Sequence, residues 1–172
     1  MKVSLVASIT ADGFISQKSE QSSLDWTSRE DTKFFIQKTK EAGYVVMGST
    51  TFDTIKPKHL PFAGRTIFVL SRSKKLDQFQ PNEVRVVSGS IQEIYDQLEQ
   101  EGVPELVLAG GSEIYTQFMQ ANLVDEIFLT VEPVIFGEGV KLFNQNVTIA
   151  LQLIAVIDLS DQTKVLHYKV KK

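Results

Sequence analysis

Two turns that join an apolar run to a predicted helix have the composition of a phosphate-binding site. The first contains Gly48 and the second contains Gly110–Gly111. Glycine lets backbone N–H groups approach a ligand, and the helix N-terminus that follows favours an anion. Hydroxyls at Thr50 and Thr51 add donors for phosphate oxygens. Ligands of open α/β sheets bind beyond the carboxyl ends of the strands, so two such turns predict a phosphate-rich ligand. Neither turn matches GxGxxG or a P-loop, and a tight strand–helix connection alone would also account for each glycine.

Asp31 is the candidate functional carboxylate. It lies in the first turn of a helix that we predict to begin after the N-cap Ser28, and Phe34 and Phe35 follow it at helical spacing. An acid in this turn also complements the helix dipole, and Glu30 would serve that purpose equally well. A role for Asp31 therefore needs support from elsewhere in the chain.

Arg65 and Arg72 flank a predicted strand over residues 66–70. Arginine at a strand end is usually solvated, but its planar fork suits a carboxylate or a phosphate. The chain contains no cysteine and only two histidines. Thiolate metal sites and cysteine nucleophiles are therefore excluded, a multi-histidine metal site is not expected, and we predict no bound metal.

Composition is that of one globular domain over residues 1–172. Hydrophobic residues make up 42% of the chain, charged residues 23%, and the formal net charge is −3. A weakly negative net charge does not predict the basic surface that nucleic-acid binding requires. No segment has the pattern of a signal peptide or approaches the roughly 20 apolar residues of a membrane span. We expect a cytoplasmic protein, a monomer or homodimer, without membrane or nucleic-acid partners.

The elements that must position these residues alternate along the chain. Apolar and β-branched runs predict strands over residues 3–9, 44–47, 66–70, 84–87, 106–108, 125–134, 149–159 and 164–170. Helices are predicted from Ser28 to Gly43, from a Thr50 or Thr51 cap through Ile55, from the capping box Ser90–Glu93 to about Glu101, and over Glu113–Gln120. The polar segment 16–25 is predicted to be a surface loop. The pattern predicts an α/β domain: a mostly parallel central sheet of about eight strands, flanking helices and an antiparallel C-terminal hairpin.

Several motifs in order resemble dihydrofolate reductase. The strongest is the spacing of Trp26, Asp31, Phe35 and Thr39. Further matches run from Val3 to Phe143 and comprise Val46-Met47-Gly48-x-x-Thr51-Phe52, Leu60-Pro61 with Gly64-Arg65, Val69-Leu70-Ser71-Arg72, Gly110-Gly111-x-x-Ile114-Tyr115 and Asp125-x-x-x-Leu129-Thr130. Six motifs in family order are specific where one alone would be weak.

This resemblance implies NADPH-dependent reduction of 7,8-dihydrofolate to 5,6,7,8-tetrahydrofolate. Asp31 would hold the pterin edge with support from the Thr130 hydroxyl, Arg65 would bind the carboxylate of the folate tail, and Gly110–Gly111 would form the family's cis peptide. The resemblance assigns catalysis to Leu24, Asp31, Tyr115 and Thr130. It assigns substrate binding to Val6, Ala7, Asp31, Phe35, Ile55, Arg65 and Thr130. It assigns cofactor binding to Ala7, Ile15, Gly48, Ser49, Thr50, Thr51, Leu70, Ser71, Arg72, Ala109, Gly110, Gly111, Ser112, Glu113, Ile114 and Tyr115.

Departures from the family pattern leave alternatives open. Ser49 stands where the family usually has a basic residue for the 2′-phosphate of NADPH, a role that Arg72 would take over. Segments 135–139 and 12–13 are instead similar to a sister family, the reductase domain of riboflavin synthesis, which reduces a ribosylamino-pyrimidine phosphate. That family typically has a glutamate where this chain has Ala109. Dihydrofolate reductase is the main expectation. The alternatives are a reductase of the riboflavin type, a reductase of another small carbonyl or imine, and a nucleotide-binding module without catalysis.

Overall fold

A computed structural model describes all residues, 1–172. The strands are β1 (Lys2–Thr10), β2 (Phe14–Ser16), β3 (Tyr44–Gly48), β4 (Thr66–Leu70), β5 (Val84–Val87), β6 (Glu105–Leu108), β7 (Glu126–Glu132), β8 (Val140–Lys141), β9 (Leu151–Asp158) and β10 (Lys164–Val170). The α-helices are α1 (Arg29–Ala42), α2 (Ser49–Asp53), α3 (Ile91–Gln100) and α4 (Ser112–Gln120), and short 3₁₀ turns span Ser23–Asp25 and Pro57–His59. No helix combines the length and the apolar character needed to cross a membrane.

Eight strands form one sheet in the order β5-β4-β3-β6-β1-β7-β10-β9. All pairs from β5 to β7 are parallel, whereas β10 pairs antiparallel with both β7 and β9. The predicted α/β class, the number of strands in the sheet and the C-terminal hairpin are therefore confirmed. Because six neighbouring strands run the same way, their carboxyl ends share one edge of the sheet.

The core lies on both faces of this sheet. Successive residues of a strand point to opposite faces. On β1, Leu5 packs into a cluster with the apolar faces of α3 and α4, whereas its neighbour Val6 packs with Phe34 of α1. The two layers of helices thus clamp the sheet and hold the N-termini of α1 and α4 near its carboxyl edge.

Local chemistry places the start and end of α1 and the start of α3 where the sequence predicts them. The Ser28 side chain accepts a hydrogen bond from Asp31 N, and helix α1 ends at Gly43, whose φ of 78° is in the left-handed region. Helix α3 begins with a complete capping box between Ser90 and Glu93. These caps account for the accuracy of the predicted boundaries of both helices.

Two local predictions need correction, and one small sheet was missed. Helix α2 begins at Ser49 with Gly48 as its N-cap, so neither Thr50 nor Thr51 caps it. The reason is that the extended backbone of Gly48 passes from strand to helix without an intervening loop residue. The predicted loop 16–25 is structured at both ends, since Ser16 belongs to β2 and residues 23–25 form a 3₁₀ turn. The small sheet of β2 and β8 was not predicted, because strands of three and two residues have no detectable period.

Candidate active site

A cleft of about 960 Å³ opens at the carboxyl edge of the sheet. The ends of strands β1, β3, β4, β5 and β6 form its floor, and the first turns of α1, α2 and α4 border it. This is the position at which open α/β sheets bind ligands. The cleft is therefore the candidate active site.

The two glycine turns lie side by side in one half of this cleft. Strands β3 and β6 are neighbours in the sheet, and the N–H of Gly48 donates to the carbonyl of Gly110 at 2.8 Å. A Cβ atom on Gly111 would lie 3.2 Å from Oγ1 of Thr51, so the turns are packed too closely for a larger residue. The Gly110–Gly111 bond is cis, as the family resemblance implied.

The first turn of α4 offers an unpaired donor to this half of the cleft. The hydroxyl of Ser112 is buried, lines the cleft and has no hydrogen-bond partner within the protein. A buried polar group without a partner is costly unless a ligand or water satisfies it. Together with the N-termini of α2 and α4, this hydroxyl and the glycine turns fit the phosphates of a dinucleotide.

Asp31 lies in the other half of the cleft. It is only 6% exposed, and its Oδ2 accepts a hydrogen bond of 2.7 Å from the hydroxyl of Ser8 on β1. Burial raises the pKa of Asp31, and the negative charge of Glu132 raises it further, while the hydroxyls of Ser8, Thr130 and Thr27 oppose that shift. The side chain is a desolvated acid at the edge of an open cleft, as expected of a group that recognises a ligand.

Thr130 stands behind Asp31 and does not line the cleft. It pairs with Ser8 across β1 and β7 and is completely buried. Its hydroxyl is near enough to favour the charged form of Asp31, yet it forms no hydrogen bond of ordinary geometry. Strand β7 places the Thr130 side chain inside the protein beside Asp31. Its predicted support of Asp31 through the hydroxyl fits this position, and its predicted role toward the substrate remains a prediction.

Arg65 borders the same half of the cleft without an acidic partner. Its Nη1 donates to Oγ1 of Thr39 at 2.8 Å, and the guanidinium lies 4.6 Å above the ring of Phe62. The Nε–H is buried and unpaired, and burial lowers the pKa of Arg65. Phe62 also meets Phe35 edge-on, with ring centroids 6.3 Å apart. The result is an apolar wall with an oriented cation beside it, suited to a planar ring with an anionic tail.

Two further predicted residues differ in their accessibility. Leu24 is 48% exposed in the 3₁₀ turn over the cleft, where it could contact a ligand. Tyr115 is buried, and its hydroxyl donates to the carbonyl of Val6 at 2.9 Å. Burial raises the pKa of Tyr115 far above its usual range, so the phenol stays protonated. It serves to join α4 to β1 beneath the cleft.

With the exception of Thr130, every predicted site residue borders the cleft. The residues of this set are Val6, Ala7, Ile15, Leu24, Asp31, Phe35, Gly48, Ser49, Thr50, Thr51, Ile55, Arg65, Leu70, Ser71, Arg72, Ala109, Gly110, Gly111, Ser112, Glu113, Ile114 and Tyr115. Their roles toward a ligand remain predictions.

Several lining residues escaped prediction. Ser8 is the clearest case, although the alternation of a strand places it on the same face as Val6 and could have revealed it. Phe62 lies in the irregular segment before β4, which has no period to interpret. Glu132 does not line the cleft, but its carboxylate acts on Asp31 from behind, and no sequence signal indicated it.

The two segments that resemble the sister family contact each other. Both oxygens of the Asp12 side chain accept hydrogen bonds from residues 136 and 137, namely from Phe136 N at 3.2 Å and Gly137 N at 2.7 Å. Phe136 in turn meets Trp26 edge-on at 5.1 Å. The turn after β1 therefore holds the 135–139 segment against the residues that precede α1.

Comparison with known proteins gives consistent matches over the whole domain. A family model described as the RibD C-terminal domain matches residues 1–165. YwjB, an uncharacterized protein of Bacillus subtilis (strain 168), is 27% identical over 149 residues, which are 84% of this chain and 83% of that protein.

Solved structures share the fold. A proposed riboflavin biosynthesis protein of Shewanella sp. PV-4 is 25% identical, has a TM-score of 0.85 and is covered over 100% of both chains. Dihydrofolate reductase of Enterococcus faecalis, solved with NADP(H), is 20% identical and has a TM-score of 0.73 over 99% of this chain and 97% of that one. The predicted dihydrofolate reductase-like architecture is confirmed.

Proposed function

This chain belongs to the RibD C-terminal domain family, and from that premise we propose that it is an NADPH-dependent reductase of a small nitrogen heterocycle with an anionic tail. The observation on which this rests is the joint placement of Asp31, Arg65 and the paired glycine turns around one cleft. A dinucleotide in the glycine-lined half would leave the half beside Asp31 for a second, smaller molecule.

The cofactor half would hold NADPH through backbone and hydroxyl groups. Its phosphates would meet the N-terminus of α4, the free hydroxyl of Ser112 and the turn at Gly48. Ser49 has no charge, so Arg72, exposed and without an acidic partner, would bind the 2′-phosphate. When bound, NADPH supplies a hydride to a carbon–nitrogen double bond.

The substrate half would orient the ring for that transfer. Asp31 would accept hydrogen bonds from adjacent N–H groups of the heterocycle, which a carboxylate can bind with both oxygens. Phe35 and Phe62 would pack on the ring, and Arg65 would bind the anionic tail. Leu24 covers the cleft from the 3₁₀ turn, and water admitted beside it would deliver the proton that the imine nitrogen needs.

Between the two substrate classes, a ribosylamino-pyrimidine phosphate has the stronger support. The family and the contact of Asp12 with the 135–139 segment both favour it. Dihydrofolate is the second candidate, and a specific observation favours it. The pyrimidine reductases typically have a glutamate at the position of Ala109, so the cleft of this chain lacks that acid and has Asp31 instead. Arg65 suits either tail, a phosphate or a carboxylate.

The test is oxidation of NADPH by the purified protein with each of the two substrates in parallel. We expect turnover with one of them and a fall in kcat/KM of roughly two to four decades in Asp31→Asn, the scale of a positioned acid–base group. Glu30→Gln is the matched control, because its carboxylate neighbours Asp31 in α1 but lies outside the cleft. Tight NADPH binding without oxidation, whichever substrate is present, would instead support a nucleotide-binding module without catalysis.

A further inference from the structure

A second carboxylate is buried behind Asp31. Glu132, at the end of β7, is only 2% exposed and does not line the cleft. Its Oε1 accepts from the N–H and the hydroxyl of Ser28, at 2.9 and 2.7 Å, and its Oε2 accepts from the hydroxyl of Thr163 at 3.1 Å. All three partners are donors, which is the environment that an ionised carboxylate requires in the interior.

These hydrogen bonds continue to Asp31. The N–H of Asp31 donates to Oγ of Ser28 at 3.1 Å. The Ser28 hydroxyl has one proton, and Glu132 accepts it, so the lone pairs of Oγ are left for the N–H of Asp31. Glu132 therefore determines the orientation of the hydroxyl that caps α1, and the cap holds the residue whose side chain borders the cleft.

The same strand approaches Asp31 at a second point. Thr130 and Glu132 are two residues apart on β7, so their side chains lie on the same face of the sheet, toward α1. Thr130 lies beside the carboxylate of Asp31, and Glu132 holds the backbone of Asp31 through the hydroxyl of Ser28. The N-terminus of α1 is thus located by contacts to one strand rather than by its own sequence alone.

We propose that Glu132 is a positioning residue of the active site, which fixes the N-terminal turn of α1 through Ser28 so that Asp31 presents its carboxylate to the substrate. The inference rests on the proposed function in one respect, that Asp31 binds the substrate. Glu132 touches neither the cleft nor its contents.

The charge of Glu132 gives this arrangement a second effect. The groups that face Asp31 are the hydroxyls of Ser8 on β1 and Thr27 before α1, the protonated phenol of Tyr115 on α4, and Thr130 and Glu132 on β7. Among them Glu132 carries a negative charge, and it raises the pKa of Asp31 by like-charge repulsion.

Two substitutions separate position from charge. Glu132→Gln retains a carbonyl oxygen for both donors of Ser28 but removes the charge, whereas Glu132→Leu removes both. Glu126→Gln is the matched control, because it removes a carboxylate from the same strand where the partners are Lys2 and His167 rather than α1. Ser28→Ala breaks the same connection without altering β7, which keeps the test decisive should Glu132→Leu fail to fold.

The primary measurement is the titration of the Asp31 carboxyl carbon by NMR in the free protein, which needs no substrate. We expect its midpoint to move to lower pH in Glu132→Gln and to stay unchanged in Glu126→Gln. In turnover, kcat/KM should fall roughly 10- to 100-fold in Glu132→Leu and in Ser28→Ala, the scale of a misplaced binding group. Glu132→Gln should stay within about threefold of the wild type, since the hydrogen bonds remain.

Other outcomes overturn the inference or its charge effect. An unchanged Asp31 midpoint in Glu132→Gln would show that the charge of Glu132 does not act on Asp31 and would refute that second effect. Equal activity losses in the Gln and Leu variants would show that the hydrogen bonds to Ser28 have no positioning effect. If the wild type reduces no substrate, the proposed function fails, while the titration still decides whether Glu132 acts on Asp31.

Discussion

Removal of the Arg65 side chain tests the substrate half of the cleft most directly. The guanidinium is oriented by Thr39 and by the ring of Phe62, and no acid within the protein neutralises it. Its fork is therefore available for an anionic tail. Because the tail lies away from the reacting bond, binding it contributes equally to the ground state and the transition state, so Arg65→Ala should raise KM and leave kcat nearly unchanged.

The size of the effect follows from the contacts. A hydrogen bond to a charged group contributes about 1.5–3 kcal/mol, and a bidentate contact would make two of them. Arg65 is half-buried, so solvent screens part of this energy, and the lower end, about 3 kcal/mol, is the better guide. That energy corresponds to a rise in KM of roughly 100-fold. Arg65→Lys should recover part of the loss, because it restores the charge without the fork.

Arg85 provides the control. Its guanidinium also lies over a ring, at 4.9 Å from the centroid of Phe68, but it pairs with Glu101 and does not line the cleft. Steady-state kinetics of Arg65→Ala and Arg85→Ala should be compared on the tailed substrate and on an analogue without the tail. If Arg65→Ala impairs both substrates equally, or if Arg85→Ala raises KM as much, Arg65 does not bind a tail and the argument is refuted.

Three further predictions concern other parts of the domain. Burial raises the pKa of Asp31 above its usual 3.8, so the wild-type protein loses stability as the pH rises through the folded-state pKa. Thermal denaturation should therefore show that Asp31→Asn is more stable than the wild type at neutral pH. Below about pH 4, where the wild-type carboxyl is protonated in both states, this difference should disappear. Titration of cofactor binding should show Arg72→Ala weakening NADPH by roughly 10- to 150-fold with NADH almost unaffected, and equal weakening of both would assign Arg72 another role. Gly139 has a φ of 154°, and a Cβ atom there would overlap the carbonyl oxygen of Ser16. Urea unfolding should show that Gly139→Ala lowers the free energy of unfolding by about 1–3 kcal/mol. Gly137→Ala is the control and should lower it less, because the space around Gly137 is open.

Helix ends and strand identities were predictable because their causes are local. Ser28 and Gly43 bound α1 through a cap and a left-handed residue, and the capping box of α3 involves residues only three positions apart. The predicted start of α2 was wrong because a local preference was misleading there. Threonine is a good N-cap in general, but here Gly48 already connects strand and helix, which a propensity cannot reveal.

The candidate site likewise has a part that the sequence predicts and a part that it does not. The turns at Gly48 and Gly110 each predict a phosphate contact, but their adjacency depends on β3 pairing with β6, strands separated by more than fifty residues. Such pairing is decided by which apolar surfaces bury one another across the whole chain, and no local period records it.

The sequence by itself determined the eight strands of the main sheet, the caps of α1 and α3 and the place of Asp31 in a first helical turn. The tertiary structure alone decided that Glu132 faces Ser28, and that Arg65 reaches Thr39 of α1 and has no acidic partner. Residues close in sequence interact through geometry that each residue type largely specifies. Residues a hundred positions apart meet only after the sheet order is set, and their chemistry toward one another exists only in the folded domain.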